Sequence, residues 1–369
     1  MQSVVTTASA DAVYDVAIVG AGAAGSAAAV LLARAGVRVA LVMRSVTGRE
    51  RPAEVCSPAT LRLMRTLGLP MPDRAHQARV CRGVLSAWDS PAPQFFDYGL
   101  LACEPALALD RSAYDAALVA AARAAGAAVL VDRGPASVAR RRASWIIGGD
   151  RTHLHAGWLI DASGRSGGLA PVMTSRRCFS DRLVACTMRQ PGHDASDPRA
   201  DLLLLAAVRG GWWYVSQPAS GAASVVYLTD ADLLPRTAAA RSAHLARAFD
   251  EARLLHDLAA APVFDSHRVA DARTSHRLSV AGDGWMAIGD AALSVDPLSG
   301  EGLRLAIASA AAASGALLAA RAGGPPSEPF DQWYGDQRTK QRGAAAAAYA
   351  PVVRRFADDP FWQRREVRR

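Results

Sequence analysis

The N-terminal segment sets the strongest constraint on the fold. Residues 15–20 (DVAIVG) form a short apolar strand that runs into Gly20-Ala21-Gly22-Ala23-Ala24-Gly25. An Ala/Leu-rich helix to Ala35 follows, capped by Gly36, and residues 37–43 read as a second strand. Strand, glycine turn, helix and strand in that order make a βαβ opening, which implies a parallel sheet covered on both faces. The glycines fit G-x-G-x-x-G at the point where a dinucleotide is held. Gly20 permits the tight turn, Gly22 lets a pyrophosphate approach the backbone, and Gly25 lets helix and strand pack closely. Ala23 and Ala24 open the helix whose N-terminus faces the negative charge. The acidic residue expected about 20 residues on, for the adenosine ribose, falls at Met43. Glu50, Glu54 or Arg44 with backbone groups are the substitutes at hand, so the nucleotide is expected to bind loosely.

A second motif specifies the nucleotide. Residues 285–305 read WMAIGDAALSVDPLSGEGLRL: a strand, a Gly-Asp pair, then a Pro/Ser/Gly turn that launches a helix. Asp290 stands at a strand end, where its carboxylate can accept hydrogen bonds from sugar-chain hydroxyls. The amides of Gly300, Glu301, Gly302 and Leu303, at the next helix N-terminus, can stabilise negative charge on a flavin ring. Both motifs together point to FAD.

Between them the pattern changes. A strand is expected over residues 79–88, a helix over 112–125 with Asp110 or Ser112 as N-cap, and a strand over 157–161. From residue 179 to 230, β-branched and aromatic runs separated by turn signals read as an antiparallel sheet facing the substrate. Helices are expected over 238–260, 302–321 and much of the C-terminal tail. The expected fold class is α/β: an N-terminal Rossmann-type FAD-binding domain on a parallel sheet (1–75, 105–170 and 270–325), interleaved with an antiparallel-sheet substrate domain (76–104 and 171–269), and a C-terminal helical segment (326–369).

Composition removes several other classes. With 51% hydrophobic residues in 369, the chain can bury a large core. Its cysteines, Cys56, Cys81, Cys103, Cys178 and Cys186, form no CxxC pair and no zinc-ligand spacing, so no metal is expected and a reducing cytoplasm is. The first 15 residues lack the basic and apolar regions of a signal peptide. Apolar runs such as 21–33 and 306–320 are shorter than the roughly 20 residues that span a bilayer. The net charge of +8 comes almost wholly from arginine, since Lys340 is the only lysine. The arginine clusters at 140–142 and 364–369 lack a stacking array of aromatics, so nucleic acid is not an expected partner.

The chain resembles the FAD-dependent monooxygenase and flavin-dependent halogenase superfamily over nearly its whole length. The resemblance is carried by GAGAAG (20–25), LDRSAYDAALVAAARAAGA (109–127), LIDASGRSG (159–167) and GDAALSVDPLSGEGL (289–303). It implies that Gly20, Gly22 and Gly25 hold the FAD pyrophosphate and that Arg111 sits close to the cofactor. It further implies that Asp290 binds the ribityl chain and that Pro297 and Gly300 to Gly302 line the isoalloxazine ring. Asp161 and Gly164 are placed near the cofactor on the same basis, and Pro297 and Glu301 are the candidate catalytic residues. The segment GGWWYVSQP (210–218) is similar to the Trp-rich strand of the tryptophan-halogenase-like branch. Trp212, Trp213 and Tyr214 alternate between two strand faces, so at least one ring is expected to face a substrate cavity. Trp88 or Phe95 would form its other wall.

Halogenases of this family use a lysine near residues 77–88. Here that stretch is QARVCRGVLSAW, and arginine, permanently protonated, cannot replace an amine nucleophile. The expected activity is therefore monooxygenation: a flavin C4a-hydroperoxide hydroxylating an electron-rich aromatic substrate, small or peptide-bound, with an indole among the candidates. NAD(P)H or a partner flavin reductase would supply electrons. His76, Glu54 and Asp97 are the unranked candidates for a base. Halogenation, and alkene reduction of the geranylgeranyl-reductase type, are the alternatives.

Overall fold

The computed structural model describes residues 12–44, 51–102, 104–132, 137–149, 153–167, 169, 173, 175–192, 197–256, 262–324 and 328–366. Strands Ala12–Val19 and Val39–Arg44 flank helix Ala23–Arg34 and pair in parallel, Val16 opposite Val39 and Val19 opposite Val42. Ala128–Asp132 extends this sheet beyond Val39–Arg44. His153–Asp161 and then Trp285–Ala287 extend it on the other side, all in parallel. Ser137–Arg141 and Ser144–Gly148 form an antiparallel extension on His153–Asp161. Val16, Ala17, Ile18, Ala40 and Leu41 have no exposed surface, as a sheet covered on both faces requires.

The antiparallel expectation for 179–230 is met by a seven-stranded sheet. Its order is Arg268–Asp271, Leu183–Pro191, Ala222–Asp230, Gly211–Ser216, Leu202–Val208, Gly83–Ala87 and Gln94–Asp97. Only the Leu202–Val208 and Gly83–Ala87 pairing is parallel. Helix Ala238–Glu251 packs on one face, through Leu245, Ala248 and Phe249. The other face meets the C-terminal helices Glu328–Arg355 and Pro360–Gln363.

Two boundaries differ from the sequence reading. The single strand expected over 79–88 is two strands in two sheets: Ala78–Cys81 pairs with Ala106–Leu109, while Gly83–Ala87 joins the seven-stranded sheet. Arg82 makes the break, its amide donating to the Asp201 carbonyl and its carbonyl accepting from the Tyr98 amide. Gly83 is needed there because a Cβ would lie 2.3 Å from the Phe96 carbonyl oxygen. The helix expected over 238–260 ends at Glu251, followed by a short second helix, Arg253–His256; residues 257–261 lie outside the described residues. The helix after Asp110 runs over Arg111–Ala124, and the Asp110 carboxylate accepts from the amides of Ser112 and Ala113. Gly302–Arg321 is helical throughout. By length and composition alone it would cross a bilayer, but half of it is buried in this fold, where it packs on Ala23–Arg34.

Cys56, Cys81, Cys178 and Cys186 are unbridged; Cys103 lies outside the described residues. Among the described residues no group of three His, Cys, Asp or Glu side chains is placed to hold a metal.

Candidate functional site

The three glycines of the first turn have three different jobs. Gly20 has φ +111°, and a Cβ on it would sit 2.2 Å from the Ala162 carbonyl oxygen. A Cβ on Gly25 would lie 1.8 Å from the Gly20 carbonyl oxygen. Both are therefore packing positions. A Cβ on Gly22 would meet nothing within 4 Å. That open space lies in front of a helix whose first turn has no side-chain cap and no acidic residue. Uncapped amides, the positive end of the helix dipole and a bare glycine approach are what a pyrophosphate requires, so the turn fits a dinucleotide.

The second motif is brought against the first by glycine packing. Gly289 has φ +58°, and a Cβ there would be 2.8 Å from the Ala24 Cβ. Asp290 follows in the turn Gly289–Ala291 with its side chain partly open. Arg165 Nε stands 3.3 Å from its carboxylate, and Arg177 Nη2 donates to its carbonyl at 2.7 Å. Burial depresses the Arg177 pKa from its ordinary value, with Asp290 acting against the shift. Gly164, at φ +71°, opens the turn that carries Arg165. Asp161 has a different role from the one expected. Its carboxylate is wholly enclosed, paired with the equally buried Arg277 at 2.9 Å and accepting from the Ser163 amide. It ties strand His153–Asp161 to Ser275–Arg277 and has no surface to offer a cofactor.

The third part is the turn after Asp296. Pro297–Ser299 is a single 3-10 turn, Gly300 takes φ +61°, and helix Gly302–Arg321 starts there, leaving Leu303 buried in the core. Glu301 is drawn into a close ion pair with Arg304. Arg111 is nearly buried and forms close pairs with Glu54 and Asp115. Burial opposes its charge, but the two carboxylates together outweigh burial and hold the guanidinium above its ordinary value. Glu54 reaches within 3.7 Å of where a Gly302 Cβ would be, so Arg111 and Glu54 lie beside the turn that launches Gly302–Arg321. Glu50 lies outside the described residues, and Arg44 is exposed at the end of its strand.

The ring residues divide by strand face. Trp212 and Tyr214 lie opposite Leu228 and Val226, and Trp213 opposite Tyr227 on the reverse face. Trp88 packs edge-on against Trp212 at 5.9 Å, and Tyr214 lies 6.2 Å from Trp212. Leu298 of the flavin turn packs into the same cluster. Trp213 instead packs tilted against Tyr227 and edge-on against Phe249, and donates to the Ala248 carbonyl at 3.1 Å. Phe95 is 48% exposed on the edge strand Gln94–Asp97, away from the cluster. The structure therefore brings Trp88, Trp212 and Tyr214 together on one side rather than on facing walls, and leaves Trp213 and Phe95 out. Sequence reasoning missed Tyr349 and Trp362, which close the cluster from the C-terminal helices at 6.1 and 5.7 Å from Trp88. Farther along the same sheet face, Arg189 and Ser224 are paired in register, and a cavity of about 230 Å³ opens among Arg51, Ala53, Ser112, Arg189 and Ser224.

Residues 13–347 match the family described as FAD binding domain. The chain belongs to that family. It is 26% identical over 318 residues to the putative FAD-dependent oxidoreductase LodB of Marinomonas mediterranea, across 83% of this chain and 85% of that one. It is 25% identical over 329 residues to the tryptophan 2-halogenase of Chondromyces crocatus, across 83% of this chain but 61% of that longer one. In solved structures, the peptidyl tryptophan dihydroxylase QhpG superposes with a TM-score of 0.79 at 24% identity, across 97% of this chain and 80% of QhpG. The family assignment makes this FAD-dependent oxidoreductase a flavoenzyme with a halogenase-like fold.

Proposed function

We propose that this flavoenzyme is a monooxygenase that hydroxylates an electron-rich aromatic group, an indole carried on a polypeptide being the best match. One observation carries the reading. An aromatic wall of Trp88, Trp212 and Tyr214 packs with Leu298 of the flavin turn, while the only lysine, Lys340, is exposed on the C-terminal helix. A halogenase-type amine is thus missing where the substrate would lie. The likeness to the peptidyl tryptophan dihydroxylase QhpG supports a protein-borne substrate, and the polar cavity beside Arg189 and Ser224 suits the backbone of such a partner.

Bound and reduced, FAD supplies the activation of dioxygen, with electrons from NAD(P)H or a separate flavin reductase. The protein supplies placement. Gly22 and the first-turn amides hold the pyrophosphate, and Asp290, oriented by Arg165, holds the ribityl chain. Pro297 and the backbone of Gly300 to Leu303 form the surface for the ring. The aromatic cluster keeps water out, which strengthens every electrostatic contact inside. Of the three candidates for proton removal, one lies beside the turn that carries Gly300 and Gly302. His76 is exposed and bonded to Asp73, and Asp97 caps the turn Tyr98–Ala102. Glu54, oriented by Arg111 beside Gly302, is the base.

The test is turnover of tryptophan-containing peptides by the FAD-loaded protein with a flavin reductase under ¹⁸O₂. The reading expects label in the product and no effect of chloride or bromide. A halogenated product, or product oxygen drawn from water, overturns it.

A further inference from the structure

Asp296 and Tyr349 form a buried pair at the base of the flavin turn, 53 residues apart in sequence. Asp296 is 7% exposed and Tyr349 3%. The Tyr349 hydroxyl stands 3.1 Å from Asp296 Oδ1 and 2.9 Å from Oδ2, so one proton is shared across the carboxylate. Asp296 Oδ1 also accepts from the Leu298 amide at 2.9 Å, and Ser299 Oγ donates to the Asp296 carbonyl at 2.8 Å. Asp296 thereby organises the turn that carries Pro297 and Gly300. Its carboxylate needs a donor from outside the turn, because a buried charge left short of partners is costly. Tyr349 is that donor.

Tyr349 is itself held by the rest of the C-terminal segment. Arg365 lies over its ring at 5.4 Å and bonds Asp230 at 2.9 Å, fixing the segment to the sheet. Trp88 Nε1 donates to the carbonyl of the adjacent Ala348, and the rings of Trp88 and Trp362 stand about the tyrosine. One phenol thus touches the flavin turn with its hydroxyl and the aromatic cluster with its ring.

We propose that Tyr349 is a positioning residue for the flavin: its hydroxyl, shared between both oxygens of Asp296, fixes the 296–302 turn and couples that turn to the aromatic cluster. The bond is charge-assisted and roughly twice as strong as a neutral one, so its loss is felt first by the short turn. This rests on flavin binding and not on hydroxylation, so the readouts are taken without substrate.

The experiment compares Tyr349→Phe and Asp296→Asn in the full FAD-loaded chain. It follows amide hydrogen exchange across 296–303, the bound-flavin absorption spectrum and the flavin midpoint potential. Tyr349→Phe should exchange the turn amides about tenfold faster, the expected loss of one stabilising bond. It should also displace the flavin spectrum and potential while exchange elsewhere in Glu328–Arg355 is unchanged. Asp296→Asn should move the same readouts in the same direction, and serves alone if Tyr349→Phe fails to fold. Unchanged turn and flavin readouts, a change spread evenly over the C-terminal helix, or failure of both variants to fold would overturn the proposal. Absence of hydroxylated product with these readouts as expected would count against the hydroxylation reading only.

Discussion

Trp212 and Trp213 are neighbours in sequence, equally large and equally buried, yet they do different things. Trp213 faces helix Ala238–Glu251, and its Nε1 is bonded to Ala248. Trp212 faces the side of Leu298 and the C-terminal helices, and its Nε1 finds no acceptor among the described residues. Burial alone therefore does not distinguish the two rings; the state of the polar atom does. A buried donor normally has a partner, and the Trp212 Nε1 lacks one among the described residues. The glycine turn shows the same contrast over three residues, since Gly25 is filled in by backbone and Gly22 faces open space.

The contrast can be pressed hardest at the glycines. Gly25→Val should yield no stable fold, because the new atoms would overlap the Gly20 carbonyl. Gly22→Leu should fold with an unaltered circular dichroism spectrum yet retain no flavin absorbance after gel filtration with FAD. Flavin retention by Gly22→Leu would break the comparison. Next in size, Trp213→Ala should lose about 3–5 kcal/mol of unfolding free energy in urea titration, the usual cost of emptying a packed aromatic site. Trp212→Phe removes an unpaired N–H, so the same titration should change by under about 1 kcal/mol while substrate-dependent oxygen uptake falls. Equal stability losses at the two positions would show both rings to be core.

The smallest expected effect is in pH dependence, and the two sides should differ in sign. His244 lies beside Tyr227 on the Trp213 side, and burial, then Arg247, holds its ring below the ordinary 6.5 against the pull of Glu251. The folded chain then binds fewer protons than the unfolded one, so stability is lost as pH falls from 6.5 toward the depressed value. Asp296, on the Trp212 side, is held above its ordinary 3.8 by burial, with Asp181 adding to the shift and the Leu298 amide, Tyr349 and Arg365 opposing it. Here the folded chain binds more protons, so stability is lost as pH rises from 3.8 to the raised value. In urea midpoints measured across that range, His244→Asn should flatten the first slope and Asp296→Asn the second. Slopes of the same sign would refute the assignment.

Much of the cofactor side was legible because its signals are local. The glycine spacing and the turn after Asp296 each lie within about ten residues, and the βαβ order within one unbroken stretch from Ala12 to Arg44, where strand and helix periods act. The two faces of Gly211–Ser216 were also legible, from the period of two. Which face meets the turn after Asp296 was not, since that depends on where Ala238–Glu251 and Glu328–Arg355 settle. The role of Asp161 was missed because its partner, Arg277, is 116 residues away. Tyr349 and Trp362 were missed for a similar reason: the Ala-rich C-terminal helix has no apolar stripe that would single out the tyrosine. Arg82, which divides an apparently continuous strand, gives no local sign that its two sides pair with different sheets.

The contact of Gly289 with Ala24 has a consequence for how the protein is made. The cradle proposed for the cofactor is assembled from the first glycine turn and from a segment more than 260 residues later in the chain. A nascent chain on the ribosome that has not yet released residue 302 has the pyrophosphate turn but neither Asp290 in place nor the surface for the ring. Flavin capture must therefore wait until over three-quarters of the polypeptide has been synthesised, and the early βαβ unit has to survive that interval without the ligand it was built to hold.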